Sequence, residues 1–234
     1  MAALTPYRLV NGRRVWRPEG QPARPPAPAL QASLLDVAED VGFGPLGDIV
    51  QRRQLSNGAW IDLRRGWVTG SALLFERLRD NAHWQSERRQ MYDRVVDVPR
   101  LSCYLRGDVP WPDPFLYDLK AALDAHYAAA LGEPFLTCGM AYYRDGRDSV
   151  AWHGDTIGRS STEDTIIAIV SVGAARSFLL RPRGGGPSIK LDVGHGDLLV
   201  MGGSAQRTWE HRVPKTAKDV GPRISIQYRC RDVA

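Results

Sequence analysis

From Phe135 to the last residues, short apolar runs alternate with glycine turns, and this pattern constrains the fold more than any other feature. Runs of strand length occupy 137–143, 150–153, 165–172, 177–181, 188–191, 197–201 and 223–229. Turns such as Gly184-Gly185-Gly186 and Gly194-His195-Gly196 separate them. Each run is too short to bury its apolar face alone. Many such strands in succession are satisfied by a sandwich or a barrel.

The upstream half reads differently. Residues 71–79 carry Leu73, Leu74 and Leu78 at helical spacing, and 115–130 carry Leu116, Leu119, Leu123 and Tyr127 likewise. Asp113-Pro114 supplies an N-cap and a first-turn proline for the second helix. Asn57-Gly58 sits between strand-like pieces and predicts a tight hairpin turn, as does Asn11-Gly12 within 7–16. Pro22, Pro25, Pro26 and Pro28 then make an extended segment. The expected organisation is a basic, proline-rich extension (1–32) and one mainly-β domain with flanking helices (33–234). Within that domain, 33–134 is the helix-containing, substrate-side portion and 135–230 is the β core.

Composition narrows the function classes. The net charge of +5 comes with arginine preferred over lysine, which suits a polyanionic partner as well as a solvated surface. The longest apolar stretch, near 166–175, is too short to span a bilayer, so no membrane role is expected. Cys103, Cys138 and Cys230 are odd in number and form no C-x-x-C pattern, which points to a reducing, cytoplasmic setting. A monomer is expected.

Chemistry concentrates in the β core. His153-Gly154-Asp155 ends a strand-like run, and alternation along a strand puts residues i and i+2 on one face. An imidazole and a carboxylate therefore stand side by side, and a distal histidine would complete the two-histidine, one-carboxylate set that holds non-haem Fe(II). His195-Gly196-Asp197 has the same spacing and is the rival. Its aspartate reads more simply as a turn residue opening the next strand, which favours His153, Asp155 and His211. Residues 223–229 alternate strictly: Arg223, Ser225, Gln227 and Arg229 share one face, opposite Ile224, Ile226 and Tyr228. Arginines on an inner face require anionic partners, whereas on an edge strand both would lie in water. A zinc hydrolase also uses such ligand sets but has no evident need of paired arginines.

Several motifs, taken in order, resemble the AlkB-like Fe(II)/2-oxoglutarate dioxygenases. They are Tyr-Arg-Asp-Gly-Arg-Asp (143–148), Trp-His-Gly-Asp (152–155), Ser-Val-Gly-Ala-Ala-Arg-Ser-Phe (171–178), Gly-Asp-Leu-Leu-Val-Met (196–201), Trp-Glu-His (209–211) and Pro-Arg with Arg-x5-Arg (222–229). The resemblance covers roughly 50–230 and implies a double-stranded β-helix (jelly-roll) core that uses Fe(II), 2-oxoglutarate and O2. It implies His153, Asp155 and His211 as iron ligands, Tyr143 and Arg223 at the distal carboxylate of 2-oxoglutarate, and Arg229 at the carboxylate near iron. It also implies hydroxylation of an N-linked alkyl group on a nucleobase, with release of formaldehyde, succinate and CO2. The chain departs from the family at Ala141, Ser225 and Gln227, where asparagine, asparagine and threonine are common. It departs again at Ile157, where repair members carry an acid. Ser225 stays among the expected cosubstrate contacts.

The substrate implied is DNA or RNA whose base is single-stranded or flipped out of the duplex. Trp152, Ile157, Arg100, Tyr104, Arg181 and Arg183 are the candidate substrate contacts. Trp60, Trp67, Trp84 and Trp111 are further stacking candidates, and more simply core residues. Two alternatives stay open: the same chemistry on a protein or small molecule, and a nucleic-acid binding module without turnover.

Overall fold

The computed structural model describes residues 7–10, 13–16, 40–91, 94–105, 110–231 and 233. Strands β1 (Tyr7–Val10) and β2 (Arg13–Trp16) pair antiparallel. The expected turn at Asn11-Gly12 and the proline segment lie outside the described residues. A short pair, β3 (Gly42–Phe43) and β6 (Val68–Thr69), brackets the hairpin of β4 (Gln51–Gln54) and β5 (Ala59–Arg64). That hairpin turns at Asn57 and Gly58, whose φ values of 61° and 77° are the positive ones an Asn-Gly turn supplies cheaply.

Helix α1 (Ser71–Asn81) buries Leu74, Phe75 and Leu78, while Leu73 is exposed. Leu74 and Leu78 are buried as expected, and Phe75 takes the place expected for Leu73. Strands β7 (Gln85–Met91) and β8 (Arg94–Leu105) form the next hairpin. Helix α2 (Phe115–Leu131) buries all four expected residues, Leu116, Leu119, Leu123 and Tyr127. Its start is capped as expected: the Asp113 carboxylate accepts from the Phe115 N–H at 3.0 Å.

Eight strands then follow: β9 (Thr137–Tyr143), β10 (Val150–His153), β11 (Ile167–Gly173), β12 (Arg176–Pro182), β13 (Ile189–Val193), β14 (Asp197–Gly203), β15 (Trp209–Val213) and β16 (Arg223–Arg229). They belong to two sheets, ordered β4-β5-β14-β11-β16-β9-β8-β7 and β10-β15-β12-β13. From β9 onward the chain passes back and forth between the sheets, so neighbours in space are distant in sequence. This interleaving is the expected double-stranded β-helix, with the inner faces of both sheets lining one interior.

Both helices lie on the outer face of the large sheet. The Tyr228 hydroxyl donates to the Leu116 carbonyl at 2.9 Å, and the Tyr127 hydroxyl donates to Asp62 at 3.0 Å. Arg52 closes a two-point ion pair on the same Asp62. Alternation along β16 does the rest. Ile224, Ile226 and Tyr228 feed the helix-covered core, and Arg223, Ser225, Gln227 and Arg229 turn to the interior between the sheets.

Candidate metal centre

The small sheet brings the two histidines together. Strands β10 and β15 pair antiparallel with His153 directly opposite His211, and their ring centroids are 4.2 Å apart. The ladder ends at that pair. Beyond it the chain turns, and Asp155 swings its carboxylate back to within 3.6 Å of the His153 Nε2. One ligand atom from each of His153, Asp155 and His211 lies within 4.8 Å of the others. That is one face of a coordination sphere assembled from two strands and a loop.

Each ligand is fixed from behind. The His153 Nδ1 is 2.9 Å from the Ala151 carbonyl, which leaves Nε2 for the centre. The His211 ring stacks on Phe178 at 5.3 Å. Burial, and then the neighbouring His153, hold the His211 imidazole down to about 3, so at neutral pH it is an unprotonated donor. Burial alone would raise the Asp155 carboxyl. The Arg229 guanidinium, through its charge and its hydrogen bonds, leads the effects that outweigh burial and hold the group below the usual range. Arg229 donates from Nε and Nη2 to Asp155 Oδ2 at 3.1 and 2.9 Å, and Nη2 also reaches Gln227 Oε1 at 2.5 Å.

Gly154 has no room for a side chain. A Cβ there would lie 2.2 Å from the Gln206 carbonyl oxygen and 2.8 Å from Arg183 Nη2. The Asp155 main chain is held at both ends, its N–H by Gln206 Oε1 at 3.0 Å and its carbonyl by the Ser160 hydroxyl.

The large sheet supplies a second, cationic pole. Arg223 on β16 pairs in register with Tyr143 on β9, and its guanidinium lies 5.3 Å from the Tyr143 ring centroid. Only 1% of Arg223 is exposed. Nη2 donates to the Ser171 hydroxyl at 2.6 Å, while Nε and Nη1 are buried without a hydrogen-bond partner among the described residues. Burial pulls this guanidinium down to about 10. Two unanswered donor nitrogens on a buried cation are what a carboxylate ligand would satisfy. Between the poles the register places Ser102, Ala141, Ser225 and Ser171 side by side on four adjacent strands. Small side chains keep that floor low.

The other expected residues divide. Tyr104 is 61% exposed, and a Cβ on Gly139 would meet both its ring, at 3.7 Å, and Arg229 Nη1, at 3.5 Å. Tyr104 therefore stands beside the triad's arginine, with the half-buried Arg100 further along the same face of β8. Ile157 is 73% exposed, two residues past Asp155. Arg183 donates to the carbonyls of Arg207 and Gln206 next to Gly154. Trp152 and Arg181, by contrast, lie on the outer face of the small sheet. Trp152 sits between the guanidinium groups of Arg181 and Arg212 at 4.2 and 4.6 Å, and Arg181 is paired with Glu210. Alternation already required this, since a residue adjacent to the inward His153 must point outward.

The rival histidine-glycine-aspartate copy is structural. His195 is exposed at a positive φ of 49°, and Asp197 binds Arg65 and the N–H groups of Gly66 and Gly194. The other tryptophans pack: Trp67 is fully buried, Trp60 stacks with Tyr127, Trp84 tilts onto Tyr142 and Trp111 stacks on Tyr117.

Sequence reading missed Arg176, Gln206 and Ser160. Arg176 is buried beside Tyr143 and donates to the carbonyls of Asp145, Asp148 and Pro214. Its inward-facing parity on β12 was a usable signal, whereas Gln206 and Ser160 act from single helical turns with none.

Residues 68–229 match the family described as the 2OG-Fe(II) oxygenase superfamily. The chain is 30% identical over 176 residues to the human "Alpha-ketoglutarate-dependent dioxygenase alkB homolog 3", covering 67% of this chain and 60% of that protein. It is 31% identical over 229 residues to the "DNA oxidative demethylase ALKBH2" of Arabidopsis thaliana, covering 81% of this chain and 68% of that protein. The chain thus spans 60% of the length of the mammalian relatives it matches first. Among solved structures, OsALKBH1 superposes with a TM-score of 0.53 at 15% identity, over 77% of this chain and 100% of that one. A prolyl hydroxylase from Trichoplax adhaerens gives 0.52 at 15%, over 74% and 84%. Both likenesses concern the fold.

Proposed function

Because the chain belongs to the 2OG-Fe(II) oxygenase superfamily, we propose that it oxidatively dealkylates N-alkylated bases in DNA or RNA, releasing formaldehyde, succinate and CO2. Residues 33–234 form the working unit, acting as a monomer in the cytoplasm. The observation that carries the reading is the convergence of His153, Asp155 and His211 on one point, with a buried and partly unanswered Arg223 in the same interior.

The donor set fits the metal. Two imidazole nitrogens and one carboxylate oxygen on one face suit non-haem Fe(II), and they leave other positions for small ligands. The cationic pole fits the cosubstrate, because Arg223 Nε and Nη1 need an acceptor and Tyr143 lies against the same guanidinium. When bound, Fe(II) with 2-oxoglutarate supplies the activation of O2 that hydroxylation needs. The protein's share is positional. Arg229 holds Asp155 in its charged form and orients its outer oxygen, which leaves the inner one for metal. Arg223 with Tyr143 anchors one carboxylate, and Ser225 and Ala141 leave space for the carbon chain.

On the substrate side, Tyr104 offers an exposed ring for stacking on a displaced base, worth about 1–3 kcal/mol. Ile157 adds an apolar wall, and Arg100 and Arg183 face the phosphates. Relatives named as DNA oxidative demethylases support a nucleic-acid substrate. To test it, Fe(II)-reconstituted protein is incubated with N-methylated oligonucleotides and formaldehyde is assayed. Release that depends on 2-oxoglutarate and vanishes in His211→Ala is expected, and full turnover by His211→Ala would refute the assignment. The exposed Ile157 favours a second reading, the same chemistry on a protein or small molecule. Oligonucleotide binding that does not weaken with salt would favour that reading.

A further inference from the structure

We infer that Gln206 is a positioning residue for the metal centre, holding the loop of one ligand, Asp155, against the strand of another, His211. The inference rests on the reading of the triad as a metal site and goes beyond its three ligands.

The β10–β15 ladder ends at the pair His153 and His211, so among the described residues no ladder hydrogen bond fixes Gly154 and Asp155. Asp155 must nevertheless return its carboxylate to the histidines. Gln206 takes over where the ladder stops. It lies in the single-turn helix α3 (Ala205–Thr208), five residues before His211, and only 1% of it is exposed. Its side-chain Oε1 accepts from the Asp155 N–H at 3.0 Å. Its main-chain oxygen lies against Gly154, where it forbids a Cβ, and accepts from Arg183 Nη2 at 3.2 Å. One residue therefore touches both positions that follow His153, through side chain and main chain together.

The choice of side chain follows from the surroundings. The Asp155 N–H can only donate, so it fixes which end of the amide faces it, and Nε2 is left with the weak acceptor Met201 Sδ at 3.9 Å. A glutamate would accept equally well but would bury a second carboxylate beside Asp155. Glutamine supplies the acceptor without the charge. Without it, a part-buried N–H loses its partner and the loop loses its register on β15.

The test is Mn(II) affinity of the full chain at neutral pH, followed by electron paramagnetic resonance, with urea unfolding of the metal-free protein alongside. Gln206→Met keeps the volume and removes the acceptor. It is expected to weaken Mn(II) binding at least about tenfold, the usual cost of losing a partner behind a ligand. It should also broaden the bound Mn(II) spectrum. Met201→Leu removes only the weak Nε2 contact and is expected to leave affinity unchanged. If Gln206→Met does not fold, Gln206→Asn withdraws the acceptor by one methylene and makes the same comparison. Wild-type affinity in the Gln206 variant, or equal losses in the Gln206 and Met201 variants, overturns the inference while the metal reading stands. Undiminished binding by His211→Ala would instead sink the metal reading, and this inference with it.

Discussion

Replacing Gly154 with alanine tests whether the shape of the ligand loop governs the site. The glycine is not there for an unusual backbone angle, since it is absent from the positive-φ residues. The constraint is space. A Cβ would lie 2.2 Å from the Gln206 carbonyl oxygen and 3.2 Å from that of Trp209, both main-chain atoms. Carbon–oxygen contacts settle near about 3.3 Å, so the loop must retreat by about 1 Å. Overpacking of this kind costs about 1–3 kcal/mol. For a chain of this size that is a fall of about 2–12 °C in the melting temperature. The same retreat carries Asp155 away from His153, and a misplacement of about 1 Å can cost about a hundredfold in function. Metal-free melting and Mn(II) titration on one preparation separate the two effects. Gly44→Ala is the control, because its Cβ would meet only the flexible Arg64 guanidinium at 3.4 Å. Unchanged Mn(II) affinity in Gly154→Ala would refute the reasoning, whatever the melting temperature did.

Arg223→Met should raise the melting temperature of the ligand-free protein, because it removes a buried cation with two unanswered donor nitrogens. It should also abolish the stabilisation that 2-oxoglutarate gives the wild type, read by scanning fluorimetry; stabilisation retained would show that the cosubstrate binds elsewhere. Arg176→Met leaves three carbonyls without their donor and should cost about 1–3 kcal/mol in urea unfolding, and a loss near zero would show that water replaces the arginine. The pH dependence follows from His211. Its folded value near 3 lies below the ordinary 6.5, so between those values the unfolded chain takes up a proton that the folded chain refuses. Stability should fall on acidification through that window by at most about 1.4 kcal/mol per pH unit. His211→Phe should flatten the slope in urea titrations, and an unaltered slope would place the proton uptake on another group.

Much of the core was legible. The strands expected at 137–143, 150–153 and 223–229 have those bounds, because alternating or apolar runs between glycine turns have few other solutions. Strand β15 is not legible as an apolar run, because Glu210 and Arg212 interrupt it. Its inward residues Trp209, His211 and Val213 still follow period two. Trp152 is among the expected substrate contacts, yet its adjacency to the inward His153 on a strand puts it on the opposite face. The double occurrence of His-Gly-Asp was separable in sequence only through the turn context of Asp197, and Asp197 does serve that turn.

What the amino-acid sequence determined by itself is local. It set which side chains share a strand face and where glycines force turns, and hence that Arg223 and Arg229 point the same way. Tertiary structure decided the rest: the register that sets His153 opposite His211, the burial that leaves Arg223 partly unanswered, and the contact of Gln206 with the Asp155 loop. Facing is a matter of backbone geometry over two or three residues. Register and burial depend on how two interleaved sheets pack, with partners some fifty residues apart, and no local spacing encodes that distance.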